Sequence, residues 1–179
     1  MPFECRAADI PDVLVITPKF FPDNRGTFAE IYKFSDFVKF GIREKFVQVN
    51  LSESKKNVVR GLHYQIEPAA QGKLVQAVAG EIFDVAVDIR SKSPTFGKWT
   101  SINLSDKNNC LFYIPPGFAH GFAVLSDTAR VIYYCTAEYA AAQERGIIYN
   151  DSALNIDWPV ADPVVSEKDL QFGQLTHRP

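Results

Sequence analysis

Short apolar or alternating segments, separated by turn residues, recur along the whole chain, whereas few stretches have the periodicity of a helix. The clearest is Phe46–Ser52, in which Val47, Val49 and Leu51 share one face and polar side chains share the other. Such segments follow one another about every 8–12 residues with Gly and Pro in the turns, which is typical of a β-sandwich or β-barrel. The pattern therefore predicts an all-β fold with a few short helical segments.

The same pattern predicts the positions of the strands. They are expected at Val13–Ile16, Thr27–Tyr32, Phe46–Ser52, Lys73–Ala79, Ile82–Arg90, Trp99–Leu104, Leu111–Ile114, Phe122–Leu125 and Arg130–Thr136. The last two segments flank the turn residues Ser126-Asp127, so we expect them to pair as antiparallel neighbours.

Two segments are expected to be helical. Ser35–Phe40 is predicted as a short helix with Ser35 as its N-cap and Gly41 just past its end, and Ser166–Leu170 as one capped turn. Linkers, repeats and low-complexity segments are not visible, so one domain spanning residues 1–179 is expected.

Composition and charge narrow the functional classes. With 46% hydrophobic and 13% aromatic residues the chain can build a substantial core, which excludes a disordered protein. The net charge of −2, without a long basic run, excludes generic nucleic-acid binding but leaves room for a small anionic ligand. Cys5, Cys110 and Cys135 are widely spaced without a CxxC motif, which favours reduced thiols. Because a signal peptide and a membrane-spanning apolar run are also not seen, we expect a cytoplasmic protein.

The segment Val58–Lys73, VVRGLHYQIEPAAQGK, concentrates candidate chemistry. His63 is the side chain best suited to move a proton near pH 7, and Lys73 can stabilise an oxyanion. Arg60 lies three residues before His63 and would face the opposite side of a regular strand. A bulge at Gly61 would bring both side chains to one side.

The three histidines allow a competing interpretation as a metal site. His63 and His120 each lie in a polar, glycine-containing segment, whereas His177 is expected to be an ordinary surface residue. Two histidines with Asp or Glu could bind a metal ion. However, residue 65 is Gln, so the His-x-His pair common in metal-binding β-barrels is incomplete, and Lys73 nearby would oppose a divalent cation. Proton transfer is therefore favoured over metal binding.

Further candidates have plain structural explanations. Tyr133 and Tyr134 belong to an apolar run that is expected to be β-core, and at most one of them can face the interior. A buried tyrosine hydroxyl needs a partner and can donate a proton. Asp169 is by default an exposed carboxylate or a helix-end charge.

Several segments match, in order and over almost the whole chain, one enzyme family. They are DNRGTFAE (23–30), QVNLSES (48–54), VVRGLHYQ (58–65), QGKLVQAVAGEIFDVAVDIR (71–90), SPTFGKW (93–99), IPPGFAHGFAVLS (114–126), TAEY (136–139), ERGIIYND (144–151) and SEKD (166–169). On these segments the chain resembles the dTDP-4-dehydrorhamnose 3,5-epimerases, which are cupin-type enzymes of nucleotide-sugar (rhamnose) biosynthesis.

The resemblance implies a jelly-roll barrel that forms a homodimer and uses no metal or other cofactor. It implies that His63 is the general base, Asp169 its orienting carboxylate, Lys73 the cation near the C4 oxygen and Tyr133 the acid. The substrate-binding positions that it implies are Arg25, Phe28, Glu30, Gln48, Asn50, Arg60, His120, Tyr139, Glu144 and Lys168. By the same analogy Arg25, Phe28 and Glu30 would reach in from the partner subunit, and Phe20 falls near an aromatic residue that meets the base.

The implied reaction inverts C3 and C5 of a nucleoside-diphosphate 4-keto-6-deoxyhexose. The chain departs from the family pattern at Tyr133-Tyr134, Tyr139-Ala140 and Tyr149-Asn150-Asp151, so the exact substrate is less defined than the reaction type. Three alternatives remain: a C3-only or C5-only epimerase on a related nucleotide sugar, a non-catalytic sugar-binding barrel, and a metal-dependent cupin isomerase or oxygenase.

Overall fold

The structure, a computed structural model that describes residues 2–176, consists mainly of β-strands. His177 lies outside these residues. The strands in chain order are β1 (Phe3–Ala7), β2 (Leu14–Pro18), β3 (Phe20–Asp23), β4 (Gly26–Ala29), β5 (Gln48–Lys55), β6 (Val59–Gln65), β7 (Lys73–Ala79), β8 (Glu81–Asp88), β9 (Trp99–Ser105), β10 (Leu111–Ile114), β11 (Phe118–Val124), β12 (Thr128–Cys135) and β13 (Glu144–Gly146). Two one-turn helices are α1 (Phe34–Phe37) and α2 (Glu167–Leu170), and a 3₁₀ turn covers Val38–Phe40.

Two antiparallel sheets contain all of these strands except one hairpin. The six-stranded sheet has the order β1-β2-β10-β7-β12-β5, and the five-stranded sheet has the order β13-β6-β11-β8-β9. The hairpin β3-β4 pairs with neither sheet. None of the helices within residues 2–176 has the length and apolarity needed to cross a membrane.

The main core lies between the two sheets, because each strand directs alternate side chains towards the opposite sheet. Val75 and Val131 of the six-stranded sheet belong to the same buried cluster as Ile82, Ala86 and Phe122 of the five-stranded sheet. Burying a Val, Ile or Phe side chain contributes about 1.5–3 kcal/mol. This shared apolar layer therefore holds the sheets face to face as a jelly roll.

Segments outside the strands cover parts of both outer surfaces. Phe37 and Ile42 pack with Leu74 against the six-stranded sheet. Ile147 and Leu154, which follow β13, pack against the five-stranded sheet. Different segments thus cover the two outer surfaces, and the outer face of β5 remains largely exposed to solvent.

The segment before α2 docks on β6. Val164 forms an isolated parallel bridge with Val58. The Val59 N–H donates to the Val164 carbonyl at 2.9 Å, and the Val164 N–H donates to the Asn57 carbonyl at 2.8 Å. These bonds bring α2 beside the strand that carries His63.

The predicted pairing of Phe122–Leu125 with Arg130–Thr136 is wrong. β11 pairs with β6 and β8, whereas β12 pairs with β5 and β7, so the two strands belong to different sheets. The short connection crosses from one sheet to the other, and the Ser126 hydroxyl secures it by accepting from the Glu81 N–H at 2.8 Å and donating to the Thr128 carbonyl at 2.7 Å. A turn that crosses between sheets and a hairpin turn have similar residues, so the pattern could not distinguish them.

The N-terminal elements also differ from the prediction. β1 was not predicted, because its sequence FECRA has only two apolar side chains and one charged residue on each side of Cys5. The helix begins at Phe34 after Lys33, without a side-chain cap, so Ser35 is not its N-cap. Gly41 ends this helical segment with a left-handed φ of +91°, as expected.

The alternation of β5 is confirmed, but its apolar face points away from the core. The side chains of Val47, Val49 and Leu51 are 55%, 56% and 64% exposed. The polar face, with Gln48 and Asn50, is directed towards the interior between the sheets.

Candidate active site

The imidazole of His63 is held by a buried carboxylate from α2. His63 Nε2 lies 2.9 Å from Asp169 Oδ1, and the Asp169 residue is 3% exposed. The other oxygen, Oδ2, accepts from the Gly61 N–H at 3.0 Å. The Ser166 hydroxyl accepts from the Asp169 N–H at 3.1 Å and so caps α2, as the sequence predicts. Asp169 is therefore fixed in both position and orientation.

These hydrogen bonds also determine the ionisation of Asp169. Burial alone would raise its pKa, but the bonds from His63 and from the Gly61 N–H outweigh burial and lower the pKa below its ordinary value. The carboxylate thus remains ionised next to the imidazole.

The backbone of β6 is irregular at Gly61, as the spacing of Arg60 and His63 predicts. His63 pairs with His120 and Arg60 pairs with Phe122, so three steps on β6 match two on β11. Gly61 has a φ of +120°, and a Cβ there would lie 2.6 Å from the Gly121 Cα. Only glycine fits this position.

The irregularity brings Arg60 and His63 to the same cavity. They line a volume of about 430 Å³ together with Val164, Lys168 and Asp169. The guanidinium of Arg60 donates to the Ser54 hydroxyl at 3.0 Å.

A second, adjoining cavity of about 230 Å³ contains most of the other candidate residues. Its lining consists of Gln48, Asn50, His63, Tyr64, Gln65, Gln71, Lys73, Tyr133, Tyr139 and Glu144. Residues separated by as many as 96 positions in the chain, from Gln48 to Glu144, therefore meet at one place between the two sheets.

Lys73 and Tyr133 reach this cavity from neighbouring strands of the six-stranded sheet. Lys73 is directly opposite Cys135, and Tyr133 is directly opposite Val75. Burial lowers the pKa of Lys73, while nearby Cys135, Asp84 and Glu144 act in the opposite direction. Burial raises the pKa of Tyr133, so that its phenol keeps its proton at neutral pH and can donate it.

His120 forms a second imidazole–carboxylate pair in the interior. Its Nε2 lies 2.6 Å from Asp84 Oδ1, and the residues His120 and Asp84 are 6% and 0% exposed. Burial lowers the pKa of His120, although Asp84 opposes this. His120 is directly opposite His63 on the adjacent strand, which places the second pair next to the first.

Asp84 is a site residue that reasoning from the sequence missed. A signal was present, because Asp84 interrupts the apolar run of β8, EIFDVAVD, at a position that alternates with Ile82 and Ala86. A carboxylate on the buried face of a strand is costly without partners, so it indicates a function or a buried network.

Glu144 connects the rim of the cavity to α2. The Tyr139 hydroxyl donates to Glu144 Oε2 at 2.7 Å, and Lys168 Nζ lies 2.6 Å from Glu144 Oε1. Burial alone would raise the pKa of Glu144, but these two partners lower it. Tyr139, Glu144 and Lys168 thus form one group, as their common assignment to substrate binding implies.

Gln65 fixes the loops around the same cavity. Its amide nitrogen donates to the carbonyls of Ala69 and Glu138 at 2.8 and 3.2 Å, and its oxygen accepts from the Ala140 N–H at 2.8 Å. Gln65, which stands where a His-x-His pair would have its second histidine, therefore joins two loops. The sequence did not reveal this role.

The residues of the β3-β4 hairpin do not line either cavity within this chain. The Arg25 side chain is 85% exposed and pairs with Asp23 at 2.7 Å, and Phe28 is 66% exposed. Glu30 follows the hairpin, and neither it nor Phe20 on β3 lines the two cavities. One chain alone therefore brings together the candidate residues except these four, with His120 joined to the site by its pairing opposite His63.

The side chains of the cavity are suited to moving a proton beside a carbonyl group. They include an imidazole with a carboxylate partner, an ammonium group and a protonated phenol. In the part of the chain that the structure describes, no three His, Cys, Asp or Glu side chains are grouped so that they could hold a metal ion.

Comparison with known proteins matches this chain to one family. The sequence model for dTDP-4-dehydrorhamnose 3,5-epimerase matches residues 7–177. The chain belongs to this epimerase family. The resemblance of its sequence segments is thereby confirmed, as is its assignment as an enzyme of the epimerase type.

Individual members of the epimerase family are similar over nearly their full lengths. The dTDP-4-dehydrorhamnose 3,5-epimerase of Shigella flexneri is 55% identical over 163 residues, which are 90% of this chain and 90% of the relative. The crystal structure of dTDP-6-deoxy-D-glucose-3,5-epimerase from Legionella pneumophila Philadelphia 1, in complex with dTDP-4-keto-L-rhamnose, has a TM-score of 0.93 and 46% identity. The match covers 97% of this chain and 93% of the Legionella chain. The similarity confirms the cupin-type jelly roll.

The family also includes an enzyme with a narrower activity. The structure of a 3'-monoepimerase from Streptomyces bikiniensis, in complex with dTDP-quinovose, has a TM-score of 0.88 and 31% identity. The match covers 95% of this chain and 87% of the Streptomyces chain.

Proposed function

We propose that this protein inverts C3 and C5 of dTDP-4-dehydro-6-deoxy-D-glucose to form dTDP-4-dehydro-L-rhamnose. The observation that carries the proposal is that His63, paired with Asp169 at 2.9 Å, shares a cavity with Lys73 and Tyr133. The 55% identity to the dTDP-4-dehydrorhamnose 3,5-epimerase of Shigella flexneri supports the choice of substrate.

The first step is removal of a proton next to the ketone. The 4-keto group acidifies the hydrogens on C3 and C5, and His63 takes one of them as general base. The ionised Asp169 stabilises the imidazolium that forms. Lys73 stabilises the negative charge that develops on the C4 oxygen, an effect worth about 3–4 kcal/mol for oxyanion stabilisation in a water-poor site.

The second step returns a proton to the opposite face of the carbon, which inverts it. His63 belongs to β6 in the five-stranded sheet, whereas Tyr133 belongs to β12 in the six-stranded sheet. Because the sheets face each other, a sugar between them has the imidazole on one side and the phenol on the other. Tyr133 therefore acts as the acid.

The remaining residues of the two cavities bind the rest of the substrate. Arg60 and Lys168, at the cavity beside His63, meet the diphosphate, since both cations can donate to phosphate oxygens. Gln48, Asn50 and Glu144 offer hydrogen bonds to the sugar, and Tyr139 stacks on the nucleobase. His120 supports the same pocket.

We also propose a homodimer in which each partner completes the other's site. The exposed apolar side chains of β5 and Val78, which is 41% exposed, form an outer surface of the six-stranded sheet that suits a second copy of the chain. A partner at this surface would bring its Arg25, Phe28 and Glu30 to the substrate. Phe20, 37% exposed on the same hairpin, would meet the nucleobase.

Solvent exchange tests the proposed reaction. Incubation with the dTDP-linked 4-keto sugar in heavy water is expected to place deuterium at C3 and C5, as seen by NMR. His63→Asn is expected to abolish this exchange without loss of the fold, and Tyr133→Phe to slow inversion more than exchange. Absence of deuterium at both carbons with the wild-type protein would exclude an epimerase.

The same assay distinguishes the alternatives. Deuterium and inversion at C3 alone would identify a C3 epimerase, the activity of the 3'-monoepimerase that is 31% identical to this chain. Inversion at C5 alone would identify a C5 epimerase. Binding of the nucleotide sugar without exchange would identify a sugar-binding barrel, and loss of activity with a chelator would identify a metal-dependent enzyme.

The location that we propose is the cytoplasm. It is supported by Cys5, Cys110 and Cys135, all of which are free thiols as expected in a reducing compartment. Cell fractionation with an antibody against the protein tests it.

A further inference from the structure

The pair formed by Asp84 and His120 is not used in the proposed mechanism, although it lies in the same interior. Asp84 is fully buried, and only its Oδ1 has a partner, His120 Nε2 at 2.6 Å. Its Oδ2 has no hydrogen-bond partner among residues 2–176. A buried carboxylate with an unsatisfied oxygen lowers stability, so its presence calls for a functional explanation.

The strands direct this carboxylate to the same interior as Lys73. On β8, Asp84 alternates with Ile82 and Ala86, both of which belong to the core between the sheets. On β7, Lys73 alternates with Val75, which belongs to that same core. Asp84 and Lys73 therefore enter the space between the sheets from opposite sides.

Three groups within the described residues oppose the effect of burial on the pKa of Lys73: Cys135 on β12, Asp84 on β8 and Glu144 on β13. Burial raises the pKa of the Cys135 thiol, which favours its neutral form. Glu144 forms an ion pair with Lys168 at 2.6 Å. Asp84 has no lysine or arginine partner there, and its hydrogen-bond partner is His120, whose pKa burial lowers.

Lys73 itself forms no ion pair within the described part of the chain, so Asp84 acts on it through space. Buried charges influence each other over several ångströms because little water lies between them to screen the field. His120 orients the Asp84 carboxylate through their 2.6 Å hydrogen bond.

We propose that Asp84 is a positioning residue whose buried carboxylate, oriented by His120, keeps Lys73 in its ammonium form for stabilisation of the enolate oxygen. This inference rests on the proposed function, because it assigns Asp84 a part in the same reaction. Without Asp84, burial would favour the neutral amine, which stabilises an enolate poorly.

The direct test is a titration of Lys73 by NMR, with the full chain labelled at lysine Cε. Lys73→Arg identifies the signal of Lys73 by removing it. In Asp84→Asn the midpoint of that signal is expected to move to lower pH, since a nearby opposite charge has been removed. If the Asn variant does not fold, Asp84→Ala removes the same carboxylate and serves the same test.

Asp88→Asn is the matched control. Asp88 is also fully buried on β8, four residues further along, but it pairs with Arg90 rather than facing Lys73. Its substitution is expected to destabilise the protein while leaving the Lys73 midpoint unchanged. An equal shift in both variants would mean a general structural effect and would overturn the proposal.

A kinetic readout complements the titration. As pH rises from 7 to 9, kcat of Asp84→Asn is expected to fall more steeply than kcat of the wild type, because its Lys73 loses its proton at lower pH. The double variant Asp84→Asn/Lys73→Arg should lose this extra fall, because arginine stays charged. An unchanged Lys73 midpoint in Asp84→Asn would refute the role of Asp84. If the wild type shows no exchange at all, the proposed function fails instead, and the NMR titration still reports on Lys73.

Discussion

The orientation and charge of Asp169 are set by its hydrogen-bond partners. One oxygen holds the imidazole of His63 and the other holds the Gly61 N–H. Its pKa is lowered because these hydrogen bonds outweigh the effect of burial. A neutral amide of the same size would keep the shape of the site but could not stabilise an imidazolium.

Asp169→Asn is therefore expected to reduce kcat by about 10²–10⁴-fold, the usual contribution of a general base. KM should change much less, because in the proposed mechanism Asp169 orients the base and does not hold the substrate. Steady-state kinetics of epimerisation measure both constants. Asp157→Asn, at an exposed carboxylate after β13, is the control and should retain wild-type kinetics. Comparable kcat values for the two variants would contradict the assigned role.

Among the elements of the fold, β6 shapes the candidate site through its irregular backbone at Gly61. The bulge in β6 turns Arg60 and His63 towards one cavity and leaves the Gly61 N–H to Asp169. Spacing alone predicted this irregularity, since a regular strand would have separated the two side chains. The close approach of the Gly61 backbone to Gly121 on β11 could not be predicted, because it depends on a strand some 60 residues away in the chain.

Gly61→Ala is expected to lower both stability and activity. Its Cβ would lie 2.6 Å from the Gly121 Cα, and the φ of +120° suits only glycine. We expect a loss of about 2–3 kcal/mol in the free energy of unfolding, measured with urea, together with loss of exchange at C3 and C5. Gly173→Ala is the matched control, because a Cβ there would meet nothing within 4 Å. Equal stability of the two variants would show that β6 can relax.

At the scale of the whole molecule, buried charge far from the site contributes to stability. Asp88 is fully buried at the end of β8, where burial alone would raise its pKa. Hydrogen bonds from Arg90, Ser93 and Thr95 instead lower the pKa to about 2. A carboxyl group whose pKa is lowered by folding stabilises the protein above the pKa of the unfolded chain, and this contribution disappears as the pH falls towards 2.

Asp88 is therefore expected to contribute about 2 kcal/mol of pH-dependent stability. The difference in unfolding free energy between wild type and Asp88→Asn should be largest at pH 5–7 and should shrink by about that amount near pH 2. Urea unfolding across this range measures it. A difference that stays constant with pH would mean that the carboxylate is not ionised in the folded protein.

The outer face of β5 determines the expected oligomeric state. Leu51 is 64% exposed in the single chain, so a glutamate there costs little in the monomer but is costly in an apolar interface. Leu51→Glu is expected to convert the proposed dimer to a monomer in analytical ultracentrifugation and to reduce activity about tenfold or more, because the partner's residues would be lost from the site. Ser101→Glu, on β9, is the control on the other sheet. A wild-type monomer with full activity would refute the shared site.

The sequence predicted the local features of the fold better than its pairings. The alternation of β5, the cap at Ser166 and the irregularity at Gly61 follow from spacing and residue type alone. Which strand lies beside β11 does not, because pairing is decided by the packing of both sheets at once. Asp84 illustrates the same limit at the site. Its place in an apolar run is an anomaly that the sequence analysis overlooked, and only the fold shows that His120 is its partner.

The docking of Val164 on Val58 makes activity depend on a segment outside both sheets. His63 is part of a sheet, whereas its carboxylate partner arrives 106 residues later on a helix of four residues held by that docked segment. The two sheets and their shared core do not require this segment. We therefore expect a chain with complete sheets but an undocked segment to be folded and inactive. A protease that cuts only this segment is expected to abolish activity while leaving the two sheets intact.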